Sequence, residues 1–247
     1  MINIIMNDLK NMLRLGFCLL FLGCNNSTDP INIIKSSLQS HGGIQKWESI
    51  KEITYRKTTV LYDSVGNIEN KMIQTHKNRL YPTFSAEIKW IEDSIQKRAV
   101  LKNDEVSVFF DNELQTNPQL EQNYYNSIIA ANYVFWQPYK LLKEDVTLSY
   151  SGKEVIDGAS VNVIRANYVN KDGSPANTWW YYFDEKTNKL IGNMVYHAPT
   201  YSFIKNIKYE NKTGLFLNAE RKSYRVDSLR NVQFLRAEYV YEILEFN

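Results

Sequence analysis

From residue 51 onward, apolar and polar residues alternate with a period of two. Across 51–62, Ile53, Tyr55, Thr59 and Leu61 fall on one face, and Lys57 interrupts it. Alternation of this kind marks half-buried strands. Asp63-Ser64-Val65-Gly66-Asn67 is turn chemistry, and strands are expected at 68–76, 83–91, 95–101 and 106–110, punctuated by Glu92-Asp93-Ser94 and Asn103-Asp104. Alternation resumes near Val146. Asp157-Gly158 predicts a tight hairpin, and Lys171-Asp172-Gly173-Ser174-Pro175 a longer turn. The dense aromatic strand 179–183 turns through 184–189, and strands at 190–197, 201–210, 215–226 and 232–246 complete the series.

Three segments break the period of two. Ile31, Ile34 and Leu38 recur at helical spacing between Asp29-Pro30, a cap followed by a first-turn proline, and His41-Gly42-Gly43, where glycine accepts the left-handed stop. Ile44, Trp47 and Ile50 suggest a second, short helix. Leu120, Tyr124, Ile128, Ala131 and Phe135 predict an amphipathic helix over about 119–135, ended by Trp136-Gln137-Pro138. A sheet this wide must curl, close or split. The expected fold is mainly β (α+β): a strongly curved antiparallel sheet, or half-open β-barrel, of about eleven strands with helices packed in the concave side.

The N-terminus has a different pattern. Lys10 and Arg14 precede the apolar run 15–22, which is too short for a bilayer span of roughly 20 residues and fits an export signal. Gly23-Cys24 resembles the end of a bacterial lipobox, although Phe21 and Leu22 stand where leucine and a small residue are commonest. That resemblance implies a signal peptide at 1–23, a lipid on Cys24 that anchors the chain to a membrane, a polar tether at 24–29 and one domain at 30–247. An ordinary signal peptide cut elsewhere, or an uncleaved N-terminal helix, is the alternative. Asn25 after the cysteine, in place of an inner-membrane retention aspartate, favours the outer membrane facing the periplasm.

Composition narrows the function classes. The formal charge is +2 with both signs mixed along the chain, so no basic stripe for nucleic acid is present. The two cysteines are Cys18, inside the signal, and Cys24, which leaves no thiol pair for a disulfide, redox or zinc-thiolate site in the domain. The chain holds 17 Tyr, 11 Phe and 5 Trp, which suits either sheet packing or the wall of a hydrophobic cavity.

Catalytic signatures are absent from the sequence: it has no GxSxG, P-loop, HExxH or GxGxxG motif. The three histidines are far apart. His41 reads as a helix-end residue helped by the helix dipole, and His76 and His197 as exposed residues at strand ends. Glu92-Asp93 and Asp184-Glu185 are adjacent carboxylates in turns, where neighbours on a strand would diverge. Trp179, Tyr181 and Phe183 share one strand face, Trp180 and Tyr182 the other. Either both faces are covered or one lines a cavity. Trp136 and Tyr139 read equally as a cavity rim or as a structural staple.

Three stretches carry a family resemblance: the first helix running into His41-Gly42-Gly43 and Trp47; Pro138-Tyr139-Lys140-Leu141-Leu142; and Gly152-Lys153-Glu154-Val155-Ile156-Asp157-Gly158 with the hairpin from Trp180 to Leu190. Over about 31–247 the chain resembles the LolA/LolB-like superfamily of bacterial lipoprotein carriers, and more closely a group of exported lipoproteins with that predicted fold. The resemblance implies an incomplete barrel whose hollow accepts acyl chains. The expected function is an envelope lipoprotein binding a lipid or other apolar ligand, with Trp136, Tyr139, Trp179, Tyr181 and Phe183 as lining residues and no cofactor. A scaffold of an envelope complex is the second reading, and a hydrolase with a dispersed site the third.

Overall fold

A computed structural model describes residues 28–142, 146–169 and 175–247. The expected signal segment 1–23 and the lipid-bearing Cys24 lie outside the described residues, as does most of the 171–175 turn. Three helices are described: α1 (Pro30–Ser40), α2 (Ile44–Ser49) and α3 (Pro118–Phe135), the last followed by a 3-10 turn at Tyr139–Leu142. Thirteen strands form one antiparallel sheet: β1 (Glu52–Tyr62), β2 (Ile68–Arg79), β3 (Ser85–Glu92), β4 (Ile95–Lys102), β5 (Glu105–Phe110), β6 (Glu113–Gln115), β7 (Thr147–Ile156), β8 (Ala159–Val169), β9 (Pro175–Asp184), β10 (Leu190–His197), β11 (Thr200–Glu210), β12 (Leu217–Val226) and β13 (Val232–Phe246).

The strand order is β6-β5-β4-β3-β2-β1-β13-β12-β11-β10-β9-β8-β7. Two meanders therefore meet where the first strand pairs with the last, Lys57 opposite Tyr241 and Thr59 opposite Tyr239. The tight hairpins follow from local chemistry. Asp93-Ser94, Asn103-Asp104 and Asp157-Gly158 all hold positive φ at both central residues, the twist that two-residue hairpins need. Asp111-Asn112 does the same and adds β6, an edge strand too short to show a period, which the sequence reading did not anticipate. The strand count is thus thirteen rather than about eleven.

Helix α3 carries the chain from the β6 edge to the β7 edge. Asn117 caps it, with Oδ1 accepting from the Gln119 and Leu120 N–H groups at 3.0 and 3.1 Å. Along its length Tyr124 meets Trp90 on β3, Phe135 stacks on Tyr55 of β1 at 4.0 Å, and the Tyr133 and Tyr181 hydroxyls on α3 and β9 are 3.0 Å apart. Tyr124 and Tyr133 are separated by roughly 14 Å along a helix. In a flat sheet β3 and β9 would be about 34 Å apart, seven steps of ~4.8 Å. The sheet therefore wraps around the helix, open at both edges, with the helices in its concavity.

Three apolar clusters fill that concave side. One surrounds Trp47, Tyr55 and Phe135; another joins Ile34 of α1 to Tyr181 and Phe183; the third sets Ile128 against Ile88 and Trp90. In α1 the buried face is Ile33, Ile34, Ser37 and Leu38, while Ile31 is exposed, because two adjacent isoleucines already point at β8 and β9. A fourth cluster, with Val163, Tyr182 and Phe203, lies on the opposite face. It is covered where Arg230, in the β12–β13 turn, sits 5.6 Å from the Tyr182 ring centre and pairs with Glu154 of β7. The aromatic strand is thus packed on both faces.

Candidate functional site

Between α3 and the concave face lies a cavity of about 590 Å³, within the ~300–1,000 Å³ typical of ligand sites. Its roof is one stripe of α3. Ser127, Ala130, Ala131 and Val134 recur at positions i, i+3, i+4 and i+7, and their small side chains hold the helix off the sheet without filling the gap. Ser127 and Ala130 are exposed, so the cavity opens along this side of the helix. Met72, Ile88 and Trp90 form one wall, and Trp179, Val195 and Ile204 the other.

The floor between these apolar walls is polar. Lys57 on β1 and Arg221 on β12 flank Tyr239 and Tyr241 of β13. Arg221 is 3% exposed; its Nε donates to Asn206 Oδ1 at 2.9 Å and its Nη2 to Asn193 Oδ1 at 2.7 Å. The Tyr241 hydroxyl also lies against its guanidinium. Neither Lys57 nor Arg221 has an ion-pair partner among the described residues. Burial, and then the nearby Arg221, push the Lys57 ammonium down to about 8. The lone carboxylate of the lining, Glu92, pairs with Lys97 at 2.6 Å.

His76 also faces the cavity. It is buried, stacked on Tyr55 with ring centres 4.8 Å apart, and desolvation with Lys57 nearby lowers its pKa to about 3. The expectation that it is exposed therefore fails: β2 continues past it, and its side chain points inward. His41 is buried as well. Its Nδ1 is 2.6 Å from the Phe216 carbonyl, and its Nε2 accepts the Leu190 N–H at 3.2 Å. One neutral tautomer satisfies both, and burial lowers its pKa to about 4. The dipole reading of His41 is replaced by a structural one: the imidazole ties α1 to β10 and to the segment before β12. His197 is exposed at the end of β10, on the cavity rim. Among the described residues, no three His, Cys, Asp or Glu side chains converge as a metal site would require.

Of the residues expected to line a ligand, Trp179 lies in the wall of this cavity. Tyr181 and Phe183 lie in the packed cluster under α1. Trp136 and Tyr139 clasp Trp47, edge-on at 4.9 Å and stacked at 5.8 Å, which matches the staple reading of that pair. Glu92 sits at the cavity mouth, while Asp184 caps its own turn and Glu185 pairs with Lys153 at 2.5 Å. The cavity residues outside that expected set have a signal in the sequence. Lys57 broke an otherwise apolar strand face, and the Ser127 to Val134 stripe of small residues lay beside the large one on α3.

Three of the solved structures similar to this chain show its architecture. A DUF1329 family protein from Desulfovibrio piger superposes with a TM-score of 0.55 at 10% identity, covering 89% of this chain and 93% of its own. A LolA superfamily protein from Nitrosomonas europaea gives 0.54 at 10%, covering 88% and 92%. The chain has the LolA-like fold. A putative outer membrane lipoprotein-sorting protein domain from Vibrio parahaemolyticus gives 0.52 at 9%, covering 88% and 91%. No protein-family model and no curated protein matches the sequence. At these identities the likeness is one of LolA-like architecture, in which a curved open sheet holds helices in its hollow.

Proposed function

We propose that this chain is an exported envelope lipoprotein, anchored through Cys24, that holds a lipid or similar apolar ligand beneath α3. The observation that carries the reading is the cavity of about 590 Å³ between apolar walls at the centre of the sheet. Each methylene moved from water into such a space contributes about 0.8 kcal/mol. The lipoprotein-sorting description of the Vibrio parahaemolyticus protein agrees with this use of the fold, and the lipobox-like Gly23-Cys24 agrees with anchoring.

Titration with a fluorescent fatty-acid probe tests the ligand claim. Wild-type protein should bind it saturably. Ala131→Trp places an indole in the cavity from the small stripe of α3 and should abolish binding while leaving the fold, read by circular dichroism, unchanged. Equal binding by a folded Ala131→Trp variant would exclude the cavity as the site.

A further inference from the structure

The cavity is not evenly apolar. Its two cations stand together at mid-floor, on β1 and β12, with the β13 tyrosines between them. Arg225 extends the same face of β12 and donates to the Ser202 hydroxyl at 2.7 Å, again with no carboxylate partner among the described residues. A buried cation with no counter-ion is costly, since desolvation is not repaid by attraction. The amide beside Arg221 carries the same sign. Asn193 is 1% exposed, its Oδ1 is held by the guanidinium, and its Nδ2 has no acceptor. Orphaned donors of this kind call for an explanation.

We propose that Lys57, Arg221 and Asn193 bind the anionic head of a single-chain amphiphile, a fatty carboxylate, whose hydrocarbon tail lies under α3. The inference rests on the ligand reading above and adds the head group to it. The cavity matches such a molecule in both parts: cations and an unpaired amide donor at the floor, and Met72, Ile88 and Trp90 along one wall. Arg221 already uses Nε and Nη2 on asparagines, so few donors remain. A two-oxygen carboxylate suits the small set left. Charge-assisted hydrogen bonds in such a site are stronger than neutral ones. Arg221 repels the Lys57 charge, His76 is neutral at pH 7, and the Tyr239 ring, centred 5.4 Å from Nζ, offers a cation–π contact and no counter-ion. An incoming anion relieves that repulsion.

The test uses the full-length protein in detergent, titrated with cis-parinarate and separately with its methyl ester, which keeps the tail and removes the charge. Energy transfer from protein tryptophans reads bound probe against protein-free micelles. The acid should bind about tenfold more tightly than the ester. Lys57→Met should bring that ratio close to one, chiefly by weakening the binding of the acid. Arg221→Lys, which keeps a charge but loses the fork, should reduce the ratio part-way and serves if Lys57→Met does not fold. Equal binding of acid and ester by the wild type would overturn the head-group proposal and leave the ligand reading standing. Binding of neither probe would overturn both. Displacement of the acid by inorganic phosphate, with no ester binding, would make this a site for small free anions and would also overturn the proposal.

Discussion

His41 and Tyr209 together satisfy both backbone polar groups of Leu190. The imidazole Nε2 accepts its N–H at 3.2 Å, and the Tyr209 hydroxyl donates to its carbonyl. The two rings meet edge-on, with centres 5.4 Å apart. Leu190 needs these partners because the β9–β10 register shifts between Leu190 and Gly192. His41→Ala would leave the buried Leu190 N–H and the partly buried Phe216 carbonyl without these partners. The expected loss is about 3 kcal/mol, read as a lowered denaturation midpoint in urea. Tyr209→Phe should cost less, because Asn206 Nδ2 also donates to the same carbonyl at 2.7 Å.

Stability should depend on pH through the two buried histidines. Each is held below its ordinary value of 6.5, His41 at about 4 and His76 at about 3. Below 6.5 the unfolded chain takes up protons that the folded chain refuses. The contribution of these two histidines is therefore constant above about pH 7 and is lost as pH drops from 6.5 towards 4. The slope approaches ~1.4 kcal/mol per pH unit for each histidine. Urea midpoints at pH 7.5, 6 and 5 check this. His76→Phe keeps a ring against Tyr55 and should roughly halve the slope.

Gly42 is where the end of α1 meets the segment between β11 and β12. Its φ is +119°, and an added Cβ would stand 2.7 Å from the Gly214 carbonyl oxygen and 2.9 Å from Leu215 Cδ2. Gly42→Ala should cost about 2 kcal/mol or more, from strain and displaced backbone together. Gly66, at φ +91° with nothing within 4 Å, is the control. Gly66→Ala carries the strain alone and should cost about 1 kcal/mol. Melting temperatures of the two variants, compared with wild type, separate the terms.

Anchoring is tested at Cys24 itself. In cells fed a labelled fatty acid, the wild-type chain should incorporate label and sediment with membranes. Cys24→Ala should lose both properties. Persistent labelling of the variant would move the attachment site elsewhere.

Much of the architecture was legible in the sequence because strand alternation and turn chemistry are local. Asp93-Ser94 and Asn103-Asp104 announce their hairpins through residues that tolerate positive φ. The pairing of β1 with β13 was not legible, since nothing local in 52–62 refers to 232–246. The cavity was harder still. Large aromatics such as Tyr181 and Phe183 drew attention, but large side chains fill space rather than leave it. The void lies beneath Ala130 and Ala131, and its chemistry comes from Lys57 and Arg221, 164 positions apart in the chain. Only the pairing of β13 with both β1 and β12 brings them to one floor. The burial of His76 is illegible for a related reason: it stacks on Tyr55, which Phe135 of α3 covers, whereas the strand taken alone would face water.

Native mass spectrometry of the full-length protein tests the central claim most directly. Released from detergent, wild-type protein should carry a non-covalent lipid mass beyond any covalent anchor, lost on collisional activation, and the Ala131→Trp variant should lack it. A folded wild-type protein with no such mass, or the same mass on the variant, would contradict a ligand held beneath α3.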